Sequence, residues 1–306
     1  MRAASYDSYA TDNSRLRVGE LPDPRVGPGQ VLVEVRAAGV NPVDWKAMAG
    51  GLDPMIEAVF PVIPGWDVAG TVVGRGPDTP EFAPGDDVIG YARKDVLSAG
   101  TFAQYVAVSA TALAAKPAAL DWAQAGGLPL AGLTAYRCLE VLDAGPGDVL
   151  LVYGAAGGVG CLAVQLAVAR GARVLGTASP DNHDFVRDLG AEPVAYADGL
   201  VDRVRALAGD GVTAVADLVG GQLATTTAVL APGGRHVSIA DPGVEQHGGR
   251  WLWVRPDGPR LAELARLADA GRLTVPVAGR YGLDEVGAAF DASRGGHTRG
   301  KLVIIP

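Results

Sequence analysis

Val149-Leu150-Leu151-Val152-Tyr153-Gly154-Ala155-Ala156-Gly157-Gly158-Val159-Gly160 is the stretch that decides the fold. Its first five residues form an apolar run without alternation, the mark of a strand buried on both faces. A glycine-rich turn follows at once. Residues 158–170 then have the length and composition of a helix. Ala155, Gly157 and Gly160 fill the three positions of a G-x-G-x-x-G fingerprint, with alanine at the first. The spacing has a physical reason. The chain must turn tightly, Gly157 lets backbone approach a pyrophosphate, and Gly160 lets the helix pack on the strand. The helix start then offers free N–H groups and a positive dipole end to phosphates. Strand, turn and helix in this order predict a dinucleotide site, with Ala156, Gly157, Gly158 and Val159 around the pyrophosphate.

Outward from this motif, strands alternate with helices. The pattern gives strands over 173–176, 193–196, 214–218, 236–240 and 251–254, with helical segments between them, and so a parallel, doubly wound sheet. The second strand carries no acid at its tip, where Ala178 and Ser179 stand. A carboxylate there would hold the ribose 2′-hydroxyl of NAD, so its absence favours NADPH. Ser179, His183 and Tyr196 are candidate donors to a 2′-phosphate, with Thr177 beside them. Asp181 and Asp184 count against that choice. Leu218, Val219, Ile239 and Ala240 close later strands, where ligands of such sheets bind.

Before residue 120 the chain reads differently. Short strands over 31–35, 68–73, 87–91 and 102–108 are separated by Gly/Pro turns, which suggests a small barrel or sandwich. The tail from 273 ends on a strand over 302–305 and is expected to return to this first region. The expected division is therefore residues 1–120 with 271–306, and 121–270, with a cleft between. The 306 residues suit two cores. A formal charge of −8 and no basic run weigh against nucleic acid. No apolar stretch has the length of a membrane span and no signal-peptide pattern opens the chain. Cys138 and Cys161 lack a metal-ligand spacing and read as buried thiols, which fits a reducing cytoplasm.

Four blocks carry a resemblance that runs from end to end: Gly39-Val40-Asn41-Pro42-Val43-Asp44-Trp45-Lys46, Pro64-Gly65-Trp66-Asp67-Val68-Ala69-Gly70, Leu128-Pro129-Leu130-Ala131-Gly132-Leu133-Thr134-Ala135 and Arg299-Gly300-Lys301-Leu302-Val303. The chain resembles the medium-chain dehydrogenase/reductase superfamily in its quinone oxidoreductase branch. The glycine signature departs from the branch at Val168, where Lys, Arg or Ser is usual. The resemblance implies a Rossmann domain plus a mainly β GroES-like catalytic domain. It implies Asn41 and Thr134 at the nicotinamide and substrate. Trp45, Met48, Phe60 and Trp66 are the candidate apolar wall for an aromatic acceptor; for each the alternative is domain core. Asp44 and Lys46 read as a local ion pair or cap. Zinc members hold metal with Cys, a Gly-His-Glu block and a later Cys or Asp. Here those positions read Asn41 and Gly65-Trp66-Asp67, and an indole and a carboxamide make no zinc site.

The expected activity is metal-free hydride transfer from NADPH to a quinone or α,β-unsaturated carbonyl. Two other readings stay open: an enoyl thioester reductase, and a non-catalytic NADPH-binding protein. From Lys46 to Pro61 there is no Tyr, which lowers the first of these. Trp251, Leu252, Trp253 and Val254 are expected to form the sheet's edge strand, and the resemblance implies a homodimer joined there.

Overall fold

The computed structural model describes all residues, Met1–Pro306, as two compact units. One comprises Met1–Leu133 and Arg255–Pro306, the other Thr134–Val254. The sequence places these boundaries at 120 and 270 instead. The difference lies in two helices. Trp122–Gly127 packs on the strands Gln30–Val40 and Asp67–Arg75, and Gly258–Asp269 packs on Leu113–Ala115, so both belong to the first unit.

In the second unit six strands form a parallel sheet in the order Glu192–Ala195, Arg173–Ala178, Val149–Tyr153, Val212–Asp217, Leu230–Ser238 and Arg250–Trp251. Chain order reverses at Val149–Tyr153, the point where such sheets bind ligands. Apolar side chains make this sheet's core, with Leu151, Leu175, Val194, Val204, Val212, Val215 and Val229 buried together. The last strand is shorter than the sequence suggests. Pairing ends with Ser238 opposite Trp251, and one further bond runs from the Leu252 amide to the Ser238 carbonyl at 2.9 Å. Pro256 follows shortly and cannot extend a ladder. Residues 252–254 are therefore not strand, and Trp253 stands 40% exposed with its ring 6.3 Å from that of Trp251.

The first unit is built around the eleven-residue strand Gln30–Val40. Its first half pairs with Asp67–Arg75 on one side and Tyr105–Ser109 on the other. Its last residues pair with the chain's closing strand, Lys301–Ile305, in the register Leu302 opposite Val40. The tail thus returns to the first region, as expected from the sequence. A second sheet joins Leu16–Glu20, Arg2–Tyr6, Ala58–Ile63 and Leu97–Ala99. The end of Gln30–Val40 is where Asp67, Lys301 and the short helix Pro42–Met48 converge.

Candidate active site

The second unit carries the glycine-rich turn that the sequence predicts as the dinucleotide site. After Val149–Tyr153 the chain turns through Gly154, whose φ of +71° favours glycine, and enters the helix Gly160–Ala169. Thr177, at the neighbouring strand's end, pins the turn from behind: its hydroxyl accepts from the Gly154 amide at 3.0 Å, and its carbonyl accepts from Ala155 at 3.0 Å. Thr177 is buried, so its side chain shapes the loop. A Cβ on Gly160 would lie 2.0 Å from the Gly154 carbonyl oxygen, which only glycine avoids. A Cβ on Gly157 would meet only that same oxygen, at 3.3 Å, and otherwise open space. The amides of Ala156, Gly158 and Val159 donate to no backbone carbonyl. A helix start with free amides and an open glycine face fits a pyrophosphate.

Ser179, His183 and Tyr196 lie beyond the strand Arg173–Ala178. The Ser179 hydroxyl accepts from Asn182 Nδ2 at 3.1 Å, and Tyr196 is 56% exposed. His183 Nε2 is buried without a hydrogen-bond partner. Asp184 is paired with Arg187. Sequence reading missed what organises the next loops. Buried Asp217 accepts from the amides of Val219 at 3.1 Å and Gly220 at 2.8 Å, and from the Ser238 hydroxyl at 2.9 Å. The same hydroxyl accepts from Ala240 at 3.2 Å and Asp241 at 3.0 Å. One carboxylate thereby fixes Leu218-Val219 and Ile239-Ala240. Its strand-end position in the run Val212–Asp217 was the available signal. Thr134 is buried in the helix Pro129–Val141.

The first unit supplies a polar centre. Asn41 caps the helix Pro42–Met48 and is buried. Its Nδ2 donates to Asp67 Oδ2 at 2.8 Å, its Oδ1 accepts from Lys301 Nζ at 2.5 Å, and its amide donates to Asp44 Oδ2 at 2.7 Å. The side chain read from sequence as a carbonyl-orienting group therefore spends its donor and its acceptor inside the protein. Asp67 Oδ1 accepts from the Leu130 amide at 2.6 Å, and Lys301 Nζ stands 3.9 Å from Asp67 Oδ2. Gly39 makes room for this, since a Cβ there would lie 2.6 Å from Asp67 Oδ2. Burial pushes the Asp67 carboxyl up to about 6 against the pull of Lys301, so it is ionised at neutral pH. Burial pushes Asp44 further, to about 8, which keeps its carboxyl protonated there.

The predicted apolar wall divides. Trp66 is buried, 6.1 Å from the Tyr91 ring, and lines a pocket with Tyr6 and Asp44. Met48 is wholly buried core. Phe60 is 39% exposed, edge-on to Tyr6 and Tyr9. Trp45 donates from Nε1 to Ser293 at 3.1 Å, with Lys46 and Arg294 over its ring. Only Trp66 of the four therefore lines that pocket. Asp44 caps the Asn41 amide, and Lys46 lies over Trp45.

No group of three His, Cys, Asp or Glu side chains is placed to hold a metal. Where zinc relatives carry ligands, a carboxamide, an indole and an ammonium-paired carboxylate stand, and this donor set does not fit zinc. No helix is long and apolar enough to cross a membrane.

Residues 27–118 match the alcohol dehydrogenase GroES-like domain, and residues 189–304 match the zinc-binding dehydrogenase model. A chloroplastic quinone-oxidoreductase from Triphysaria versicolor is 32% identical over all of this chain and 98% of its own. The NADPH-dependent alkenal/one oxidoreductase of Arabidopsis thaliana is 32% identical over all of this chain and 80% of its own. The solved quinone oxidoreductase of Coxiella burnetii superposes with a TM-score of 0.89 at 31% identity, covering 100% of this chain and 99% of that one. With its βαβ nucleotide unit and GroES-like unit, the chain belongs to the medium-chain dehydrogenase/reductase family of oxidoreductases, in its quinone oxidoreductase branch.

Proposed function

We propose that the chain is a zinc-independent, NADPH-dependent reductase of quinones and α,β-unsaturated carbonyls. Two observations support this reading: the open glycine loop of the second unit, and, in the first unit, Lys301 Nζ 3.9 Å from an Asp67 whose neighbours are a carboxamide and an indole rather than zinc-ligand side chains. Conjugated carbonyls accept hydride directly into an electron-poor π system, so position and electrostatics suffice without a Lewis acid. The bound nicotinamide supplies the hydride. Ala156, Gly157, Gly158 and Val159 would hold its pyrophosphate, with Ser179, His183 and Tyr196 near the adenosine ribose. The strand tip Ala178-Ser179 carries no acid to repel a 2′-phosphate, and the relative from Arabidopsis thaliana is named NADPH-dependent. Asn41 is a positioning residue in this reading, and Thr134 remains a candidate contact to the nicotinamide.

We infer a homodimer through the sheet edge at Arg250–Trp251, where no further strand follows and Trp253 is exposed. The buried thiols Cys138 and Cys161 suit a reducing compartment such as the cytoplasm. Parallel turnover of NADPH and NADH with a quinone, an enone and a crotonyl thioester tests the activity. Faster use of NADPH with the quinone or enone is expected. A preference for the thioester would make the chain an enoyl thioester reductase. Binding of NADPH without turnover of any acceptor would leave a nucleotide-binding protein.

A further inference from the structure

The strands Arg2–Tyr6, Ala58–Ile63 and Leu97–Ala99 and the helix Pro42–Met48 enclose a pocket in the first unit. Val62, Ile63, Trp66, Val96 and Leu97 give it apolar walls, and Lys94 is its one cationic side chain. Two polar atoms nearby are closed off, since the Tyr6 hydroxyl and Asp44 Oδ1 are fully buried without a hydrogen-bond partner. The Lys94 nitrogen is not sealed in this way, although its side chain is half-buried. Lysine is scarce in this chain: Lys46, Lys94, Lys116 and Lys301 are all it has. The other three are engaged. Lys46 Nζ lies 5.5 Å from the centre of the Trp45 ring. Lys116 Nζ donates to the carbonyls of Pro117 at 3.0 Å and Leu120 at 2.6 Å. Lys301 Nζ donates to the Val40 carbonyl at 2.9 Å and to Asn41. The Met1 amine is held by Asp23 at 2.9 Å. No carboxylate, carbonyl or ring engages Lys94, and burial holds its ammonium below the usual range. A lysine desolvated among apolar walls sheds its proton readily and becomes a nucleophile.

We propose that Lys94 is a covalent capture site for aldehydes, its amine condensing with a carbonyl that the pocket admits to form an imine. No nicotinamide takes part, so the site stands apart from the reductase reading. The step balances. The Nζ lone pair bonds to the carbonyl carbon and the π pair moves to the carbonyl oxygen. That oxygen then leaves as water, carrying both amine hydrogens, as the C=N bond forms. The free volume is about 20 Å³, more than the ~10–15 Å³ that one water needs, so a carbonyl head enters while a longer chain lies outside. Apolar walls around the new bond slow its hydrolysis by keeping water away. The ionisable groups around Lys94 are Tyr6 and Asp44 in the pocket and Arg93 and Asp95 beside it in the chain. Glu57 is also near, its carbonyl accepting from the Leu97 amide at 2.8 Å. Burial pushes Tyr6 above its ordinary range, and it stays neutral. Asp44 stays neutral up to about 8. None of these groups holds Lys94 in its charged form.

Acetaldehyde with cyanoborohydride tests this, because the hydride reagent traps each imine as a stable ethyl amine. Folded wild-type protein is sampled over time at neutral pH, and peptide masses report which amine carries the label. Lys94 should be labelled first, ahead of Lys46, Lys116, Lys301 and the Met1 amine. Lys94→Arg keeps the positive charge, removes the nucleophile and should lose the fast phase entirely. Lys46→Arg should keep it. Labelling of unfolded protein should erase the lead of Lys94, since the lead comes from the pocket. The rate at Lys94 should also rise at lower pH than that of N-acetyl-lysine amide measured alongside, because burial favours the neutral amine. Labelling of Lys94 no sooner than Lys46 in the folded protein overturns the proposal. So does a fast phase that survives Lys94→Arg, or a Lys94 rate that rises only where the free lysine's does.

Discussion

Gly157 and Asp44 differ in how much the local sequence pattern says about them. Gly157 announces itself by spacing, and the structure leaves its Cβ direction open apart from one carbonyl. Gly157→Val should therefore fold and lose NADPH affinity by at least ~2 kcal/mol, the combined cost of overpacking and lost amide contacts. Fluorescence titration checks this, and normal NADPH binding by the folded variant would mean that the loop is misassigned. Asp44 announced only a cap. Nothing in a local pattern says that its second oxygen has no partner or that Asp67 and Lys301 lie nearby. Its raised pKa also has a consequence for stability. An unfolded Asp loses its proton near about pH 3.9, whereas the folded one holds it to about 8. The stability it contributes is therefore whole in acid and lost as the pH rises through about 8. Melting temperature should decline across that window in the wild type and stay flatter in Asp44→Asn.

At the scale of elements, the parallel sheet was legible because its strands are continuous apolar runs separated by glycine turns. The edge strand was not. Trp251, Leu252, Trp253 and Val254 have the composition of a buried strand, but pairing stops at Trp251. Composition reports what a segment can bury, and pairing depends on how far its neighbour runs before Pro256 breaks the ladder. The polar centre was illegible for a related reason. Asn41 and Lys301 are 260 positions apart in sequence and meet only because the closing strand pairs with the end of Gln30–Val40. Loop anchoring by Asp217 likewise joins two strand ends that the pattern treats separately. Asp217→Ala should strand the Val219 and Gly220 amides and the Ser238 hydroxyl. We expect a loss of about 3 kcal/mol in stability, readable by urea unfolding, and weaker NADPH binding. Unchanged stability would show that these loops are held by other contacts.

Across the whole molecule, the resemblance in the four blocks and the fold agree from end to end, and the shift of the unit boundaries concerns helices whose partners lie far away in the chain. Assembly is the remaining property of this scale. A charge placed beside the sheet edge by Trp253→Asp should dissociate the proposed dimer, with light scattering reporting the mass at micromolar concentration. A wild type that is monomeric throughout that range would contradict the dimer.

Hydride transfer without zinc is the central proposal, and Asn41 and Lys301 stand around Asp67. The most direct measurement is NADPH consumption with an enone by protein dialysed against a chelator, with metal content determined on the same sample. Full turnover with no stoichiometric zinc is the predicted result. Turnover that requires added zinc, or zinc retained in stoichiometric amount through dialysis, would contradict it.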